Sequence, residues 1–494
     1  MAKNTAVMFN DGLRYIDQAQ RLDKGALDQG LKQAVDHPAY PTGIMLAHRI
    51  LLAAETPDGW QTAAQFASVF AGVLWVIPLY LVSLQLFGGA SAWLSVLLAL
   101  LVPITGHTMA DVLSESTFLL FFTWGLYTAL KFLSEGTFLW LPPTIAFAGL
   151  AYLTRPEGLL LPLAMIGTLG LMPFLRSTRL VWPRWWAAVG FLVIGPALIV
   201  GPYIAMKGGL GTKPAVQRLL GTAPKSAPNA VERQRPLDPN QSTTMTYLLA
   251  VREMAKSVQD GVTLPLLPFV AIGLFIACPP DDRARTRLFV TIVLSASMLA
   301  LVRLHATGGY CTPRHALIIT YMLIPAAGFG LYGLVDRLRV PGRWLGLEDV
   351  PFSPGPGVWA ILLGGLLIYQ GKTTFAPINE PFEGYRNAGQ WVAEHVPESE
   401  KVADLTGLSL FYGGRSGYTF ANIIDAPNDA NLRYVVVRDA HLHGPWPYCE
   451  QVRAIVGELK PVATYPAHPK KRQAQVYVFE RPLGVARNPS TVTR

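Results

Sequence analysis

Apolar runs of roughly 20 residues, long enough to cross a hydrocarbon core of about 30 Å as helices, recur along the first three quarters of the sequence, with charged residues collected at their ends. Inside a bilayer such segments must pair their own backbone N–H and C=O groups, and uniformly apolar runs do so as helices. Composition agrees. Charged residues make up 15% of the 494 and apolar or aromatic residues 51%, with a mean hydropathy of +0.32, whereas soluble domains carry about 25% charge. The expected fold class is an α-helical polytopic membrane protein, and no nucleic-acid partner is expected.

Candidate spans cover 62–86, 92–104, 112–132, 138–153, 158–175, 186–206, 262–278, 288–302, 316–335 and 358–369, a domain of about ten or eleven helices. Lys and Arg in short connections mark the cytoplasmic side. Arg176, Arg179 and Arg184 share one connection, Arg283, Arg285 and Arg287 another, and Arg337, Arg339 and Arg343 a third. Alternating spans put all three on one side. The opposite, extracytoplasmic side then receives the first loop, the turn 106–111, the break 155–157, the connection 207–260, residues 303–315 and everything after 372. The 207–260 connection is rich in Gly, Pro and Ser and is expected to be a partly mobile lid. Its basic character does not oppose this topology, because long loops translocate largely regardless of charge.

Three regions follow: a first loop with juxtamembrane helices (1–60), a multi-span domain (61–371) and a soluble extracytoplasmic tail (372–494). Leu13, Ile16, Ala19 and Leu22 keep a helical spacing in the first region, and an apolar helix with His48 and Arg49 is expected over 42–54. In the tail, 385–395 and 449–459 read as helices and 402–405, 433–438 and 475–479 as strands, giving a small α/β domain. No glycine-rich phosphate loop follows a strand, so the tail is expected to serve packing or acceptor binding. The sequence has no internal repeat, no notable low-complexity tract and no evident cleavable signal peptide.

Five motifs stand in order on the extracytoplasmic side: Asn10-Asp11-Gly12 before a helix, His37-Pro38-Ala39-Tyr40-Pro41, Ala110-Asp111-Val112-Leu113-Ser114-Glu115-Ser116, Leu153-Thr154-Arg155-Pro156-Glu157-Gly158, and Tyr310-Cys311-Thr312-Pro313-Arg314-His315. As an ordered set over about residues 9–340 they resemble glycosyltransferase family 39, the branch of the GT-C superfamily that includes protein mannosyltransferases and aminoarabinose transferases. The resemblance implies an inverting transfer of a sugar from a polyprenyl-phosphate donor to a lipid, protein or glycan acceptor. It also implies an aspartate in the first loop as base, and a bacterial inner membrane with the site facing the periplasm. Two departures stand out. Family members begin with a spanning helix ahead of the first loop, whereas this chain starts ten residues before Asp11, so a first helix is expected upstream. They also often carry paired acidic residues where this chain has Asp11-Gly12.

Inverting displacement needs a base on the face opposite the departing phosphate. Asp11 is the first candidate and Asp111 the second carboxylate; the other role open to Asp11 is a helix N-cap. Asp111 and Glu115 are expected one turn apart on one helical face, where they hold a divalent metal, orient a sugar hydroxyl or favour the helix macrodipole. Arg155 and Arg314 are candidates for stabilising the leaving phosphate, whereas Arg303 is expected only to reach the headgroups. His37, Tyr40, His107, Glu157 and His315 complete the substrate-binding candidates. His37, His107, His305 and His315 share a side without close metal-ligand spacing, and His441 and His443 read as surface histidines, so no metal is assigned. Cys311 and Cys449 share the oxidising side, which makes one bridge between them an expectation to check. A transporter or flippase, or a noncatalytic scaffold, are the alternative classes. Span centres nearly free of charge, with polar groups at one mouth, suit interfacial chemistry better than transport.

Overall fold

The computed structural model describes residues 5–174, 182–209, 214–220, 242–276, 284–309, 311–337, 356–444, 447–467 and 474–482. Tyr310 and the expected connection residues Arg176, Arg179, Arg283, Arg339 and Arg343 lie outside them. Two short helices, α1 (Asn10–Asp23) and α2 (Ala39–Ile50), precede α3 (Pro57–Phe87). The start of α3 is fixed locally: Thr56 Oγ1 accepts from Gly59 N at 3.2 Å and Pro57 occupies the first turn. The next span is broken. Val102 precedes Pro103 and is held extended, so α4 (Gly89–Leu101) and α5 (Pro103–Ala110) meet at a 67° bend. Then come α6 (Glu115–Glu135), α7 (Leu141–Tyr152), α8 (Leu160–Leu171) and α9 (Trp182–Met206).

After α10 (Pro214–Leu220) and α11 (Thr243–Val262) the chain turns by 85° at Thr263, which has φ +73°, into α12 (Leu267–Ile276). The membrane part closes with α13 (Ala284–Gly308), α14 (Leu317–Arg337) and α15 (Pro356–Thr374). Among the described residues six helices are singly long and apolar enough to cross a membrane, and eight spans result if each bent pair counts as one. The chain is a multi-pass membrane protein. One apolar core runs through the bundle, including Trp75, Phe118, Leu161, Phe289 and Leu331. Helices α12 and α14 touch backbone to backbone, since a Cβ on Gly273 would lie 1.9 Å from the Ala326 carbonyl oxygen.

The connection 207–260 is not simply the loop expected from its composition. It contains α10 and the 20-residue α11, whose Ser242 hydroxyl caps it by accepting from Met245 N at 3.3 Å and which packs on α13 and α14. Polar residues on one face of α11 kept it from reading as a span. Half of the Gly, Pro and Ser of this connection lies in 221–241, outside the described residues.

The tail is α16 (Glu383–His395), β1 (Lys401–Asp404), α17 (Leu408–Tyr412), β2 (Gly417–Tyr418), β3 (Leu432–Arg438), α18 (Asp439–His443), α19 (Pro447–Val456), β4 (Pro461–Tyr465) and β5 (Val476–Glu480). The sheet order is β2-β1-β3-β5-β4, with β2, β1 and β3 parallel and β5 antiparallel to both β3 and β4. The expected strands correspond to β1, β3 and β5. The two-residue β2 and the edge strand β4 carry no alternating apolar pattern and were not expected.

The tail and the first loop share one core, in which Val7, Tyr15 and Ile16 pack with Tyr385, Val392 and Val436. Helices α1 and α2 are therefore packed between the tail and α3. The Cys311–Cys449 bridge that their shared side left open is absent. Cys449 is buried in the core under α19, Cys311 packs near Met254 and Val258 of α11, and both thiols are free. Alkylation of denatured, unreduced protein should label both residues, and mass spectrometry should find no peptide pair linking them.

Candidate active site

The site is organised around the first residue of α6. Glu115 is 1% exposed, and its Oε1 accepts from Arg155 Nη1 at 2.9 Å, Arg314 Nε at 2.9 Å and Arg314 Nη2 at 2.6 Å. A carboxylate at a helix N-terminus also meets the positive end of the macrodipole. Two local breaks deliver the guanidinium groups. Arg155 is held extended before Pro156, and Arg314 lies beside Pro313 in the turn between α13 and α14. Arg155 Nη2 continues to Glu157 at 2.9 Å, while Arg314 Nη2 continues to Asp11 Oδ2 at 3.3 Å, and the Phe9 ring lies 4.5 Å from the Arg314 guanidinium carbon. The sequence motifs around 11, 115, 155 and 314 thus converge into one chain of alternating charges.

Asp11 is not an N-cap. Phe9 holds that position, and the Asp11 side chain is 31% exposed in the first turn of α1. Its Oδ1 also accepts from Arg14 Nη2 at 3.2 Å, and Arg14 Nε donates to Asp36 at 2.9 Å. Arg14 was missed, although its three-residue spacing from Asp11 on one helix face was a usable signal. At position 12 there is no room for a second acid, since a Cβ there would meet Val112 Cβ at 2.9 Å.

Asp111 and Glu115 do not share a helical face. Asp111 caps α5 in extended backbone, and α6 starts only at Glu115. Asp111 is 2% exposed; its Oδ1 accepts from Val112 N at 2.7 Å and Phe9 N at 3.1 Å, and its Oδ2 from Asn379 Nδ2 at 2.9 Å. Burial pushes its carboxyl above the usual carboxylate range, against the lowering effect of these bonds. Asn379 also donates to Val7 O at 2.9 Å. Asp111 and Asn379 together hold the strand of chain that enters Asp11. Asn379, from the tail and with φ +56°, gave no local signal of that role.

The remaining candidates separate. Tyr40 is 1% exposed and bonded through its hydroxyl to Ser68 Oγ at 2.7 Å and Ala64 O at 3.2 Å, so it joins α2 to α3 and presents no group to a substrate. His107 lies on α5 against Thr373 O at 3.3 Å. His37 is buried against the rings of Tyr152 and Tyr203. Next to Tyr203, Lys207 donates to Lys32 O at 3.0 Å and also to Ala34 O, a contact the sequence did not suggest. His315 lies beside Arg314, bonded at Nδ1 to Thr312 Oγ1 at 2.7 Å. Burial, with help from the Arg155 charge, pushes His315 down to about 4. Arg303 instead reaches Tyr247 of α11 and Leu219 O of α10. His441, expected on the surface, is 3% exposed.

Among the described residues no group of three or more His, Cys, Asp or Glu is placed to hold a metal ion. The carboxylates expected to do so are engaged: three N–H donors reach Asp111, and two arginines converge on Glu115. This donor arrangement does not fit a divalent cation.

Asp11 opens onto a cavity of about 730 Å³ whose other wall is the tail, with Thr406, Phe420, Arg438, His441 and Tyr448 among its lining residues. At the far end of α6, about 30 Å away by its length, Arg184 and Arg285 line a separate cavity with Leu133 and Gly136. The acidic-basic chain and these arginines therefore occupy opposite ends of the bundle.

Comparison with known proteins gives this architecture a context. Residues 36–200 match the family model described as dolichyl-phosphate-mannose-protein mannosyltransferase. No curated protein gives a significant sequence match. The archaeal oligosaccharyltransferase AglB from Archaeoglobus fulgidus, solved with an inhibitory peptide and a dolichol-phosphate, superposes with a TM-score of 0.56 at 12% identity, covering 88% of this chain. This chain spans 66% of that protein's length. ArnT from Cupriavidus metallidurans superposes in the apo state with a TM-score of 0.54 at 14% identity, over 96% of this chain and 93% of that one. The same protein bound to undecaprenyl phosphate gives a TM-score of 0.53 at 14% identity, over 96% and 94%. The fold is that of the GT-C glycosyltransferases, in line with the resemblance read from the motifs.

Two outcomes test the electrostatics. Glu115→Gln leaves two partly buried guanidinium groups short of a counter-charge and should cost up to about 3–5 kcal/mol of stability, read as a lower unfolding temperature in detergent. For His315 the unfolded state binds the extra proton between about pH 6.5 and 4, so stability should fall as pH drops through that window. His441, pushed down to about 3 by burial and the Arg438 charge, contributes with the same sign. A pH series of unfolding temperatures should be shallower, though not flat, for His315→Gln.

Proposed function

We propose that this chain is an inverting glycosyltransferase that moves a sugar from a polyprenyl-phosphate donor to an acceptor on the extracytoplasmic face of a bacterial inner membrane. The observation that carries this reading is the Asp11 carboxylate, partly exposed at the mouth of the large cavity and held by Arg314 of the ion chain that centres on buried Glu115. Positive-inside topology supports the orientation, with Arg184 and Arg285 in the first turns of α9 and α13 at the far end of the bundle. The GT-C fold supports the reaction class as analogy.

In this reaction Asp11 accepts the proton of the acceptor hydroxyl while that oxygen forms its bond to the anomeric carbon. The bond from that carbon to the phosphate oxygen breaks on the opposite face, and its electron pair leaves with the polyprenyl phosphate. Arg314 commits Nε and Nη2 to Glu115 and Asp11. It presents its remaining charge, with that of Arg155, to the departing anion. Neutral His315 accompanies Arg314 without adding repulsion, and Glu157 keeps Arg155 oriented. Asp111 acts as a positioning residue, because its bonds to Phe9 N and Asn379 fix the entry of α1. His37, beside the extracytoplasmic end of α9, offers a further contact to the donor.

Label transfer from a panel of polyprenyl-phosphate sugars, in vesicles containing the purified chain and membrane extract as acceptor, tests the reading. Asp11→Asn should lower transfer by about 10²–10⁴-fold with polyprenyl-phosphate binding and unfolding temperature retained. Transfer by the folded unsubstituted chain that is unchanged in Asp11→Asn would remove Asp11 as the base. Failure of the folded unsubstituted chain to bind any polyprenyl phosphate would remove the enzyme class.

A further inference from the structure

The tail sheet has a topological switch point facing Asp11. From β1 the chain leaves through α17 to β2 on one side of the sheet order, while from β3 it leaves through α18 and α19 towards β4 on the other. Adjacent parallel strands whose connections diverge open a crevice at their carboxyl ends, the usual ligand position in open α/β sheets. Here that crevice is part of the cavity wall. Leu405, Thr406 and Gly407 follow β1, and Arg438 and His441 lie at the end of β3; all five line the cavity that Asp11 lines from α1. Gly407, at φ +76°, brings the turn so close to α1 that a Cβ there would sit 3.4 Å from Leu13 Cδ1.

The crevice carries a guanidinium with no acid on it. Arg438 Nε donates to His441 Nε2 at 3.1 Å, and the Phe382 ring lies 5.1 Å from the guanidinium carbon. Among the described residues no carboxylate pairs with Arg438, and its two terminal amino groups make no hydrogen bond to the protein. His441 is buried, and with Nε2 accepting from Arg438 its Nδ1 proton is directed to Tyr385 Oη, 3.4 Å away. The imidazole thus fixes the plane of the guanidinium fork without competing for it. A fixed fork of parallel N–H donors matches a phosphate or carboxylate. The Phe420 and Tyr448 rings, with the Thr419 hydroxyl, supply the apolar faces and a short polar contact that suit a sugar ring.

We propose that this crevice is the acceptor subsite and that it selects a sugar bearing a phosphate or carboxylate group, bound by Arg438 so that a neighbouring hydroxyl faces Asp11. The proposal rests on the glycosyltransferase reading and adds the chemical class of its acceptor. Arg438 is a binding residue, and His441 is a positioning residue acting through it. A peptide acceptor would instead require backbone hydrogen-bond partners along the cavity.

The test uses the full chain in lipid nanodiscs and measures binding of glucosamine, glucosamine 6-phosphate, glucuronic acid, inorganic phosphate and a phosphoserine peptide by saturation-transfer NMR. Polyprenyl-phosphate binding is measured on the same samples. One or both anionic sugars should bind at least about tenfold more tightly than glucosamine, and more tightly than inorganic phosphate; the two arms tell phosphate from carboxylate. Arg438→Gln should abolish that preference, Arg438→Lys should restore part of it, and His441→Phe should weaken it, all with polyprenyl-phosphate binding unchanged. Equal binding of neutral and anionic sugars, a preference that survives Arg438→Gln, binding of the phosphopeptide alone, or no binding of any sugar would each overturn the proposal. With polyprenyl phosphate still bound, such a result leaves the glycosyltransferase reading in place. Loss of polyprenyl-phosphate binding by the unsubstituted chain overturns that reading instead.

Discussion

The buried carboxylate of Glu115 is the constraint around which the site is arranged. An ionised group taken out of water costs several kcal/mol unless opposite charge and hydrogen bonds replace its hydration. Here two guanidinium groups replace it, from chain positions 40 and 199 residues away. To reach Glu115, the break before Pro156 and the turn before α14 must end at the same level of the bundle as the start of α6. The apolar helices tolerate only certain relative heights, and this ion contact selects the height at which the polar residues form one mouth.

The second constraint is mechanical. Asp11 lies on a short polar helix, and its placement depends on neighbours on both sides. Below it, Val112 packs on Gly12 and Asp111 accepts from Phe9 N. Above it, the tail supplies Asn379 to Val7 O, Tyr412 Oη to Met8 N at 3.2 Å, and Arg386 to Ala6 O at 3.3 Å. The same Arg386 reaches Asp58 at the start of α3 at 2.6 Å. The tail therefore does more than cover the membrane domain. It holds the segment that carries Asp11 by its backbone and forms the facing wall of the cavity, which joins packing and cavity shape in one interface.

Glycine and proline set the geometry in which these charges meet. Pro103 bends the α4–α5 span so that α5 runs back to Asp111, and Pro156 extends Arg155 towards Glu115. Gly273 and Gly330 let α12 and α14 approach closely, since a Cβ on Gly330 would meet Phe269 O at 1.9 Å. That contact anchors the helix whose preceding turn carries Arg314.

The sequence by itself determined the membrane class, because an apolar run long enough to cross a bilayer must satisfy its own backbone there as a helix. It also determined the break before Pro156, the amphipathic face of α1 and the apolar strands β1, β3 and β5, all set by interactions within a few residues. The grouping of Asp11, Glu115, Arg155 and Arg314 was legible as a set of motifs, though not as contacts. What only the tertiary structure decided is which polar group meets which. Asp111 became a backbone clamp and Tyr40 a bolt between α2 and α3, Asn379 and Arg438 joined the site from the tail, and α11 formed inside an expected loop. Each of these depends on partners tens to hundreds of residues away, and no local propensity or periodicity encodes the desolvation and packing that bring such partners together.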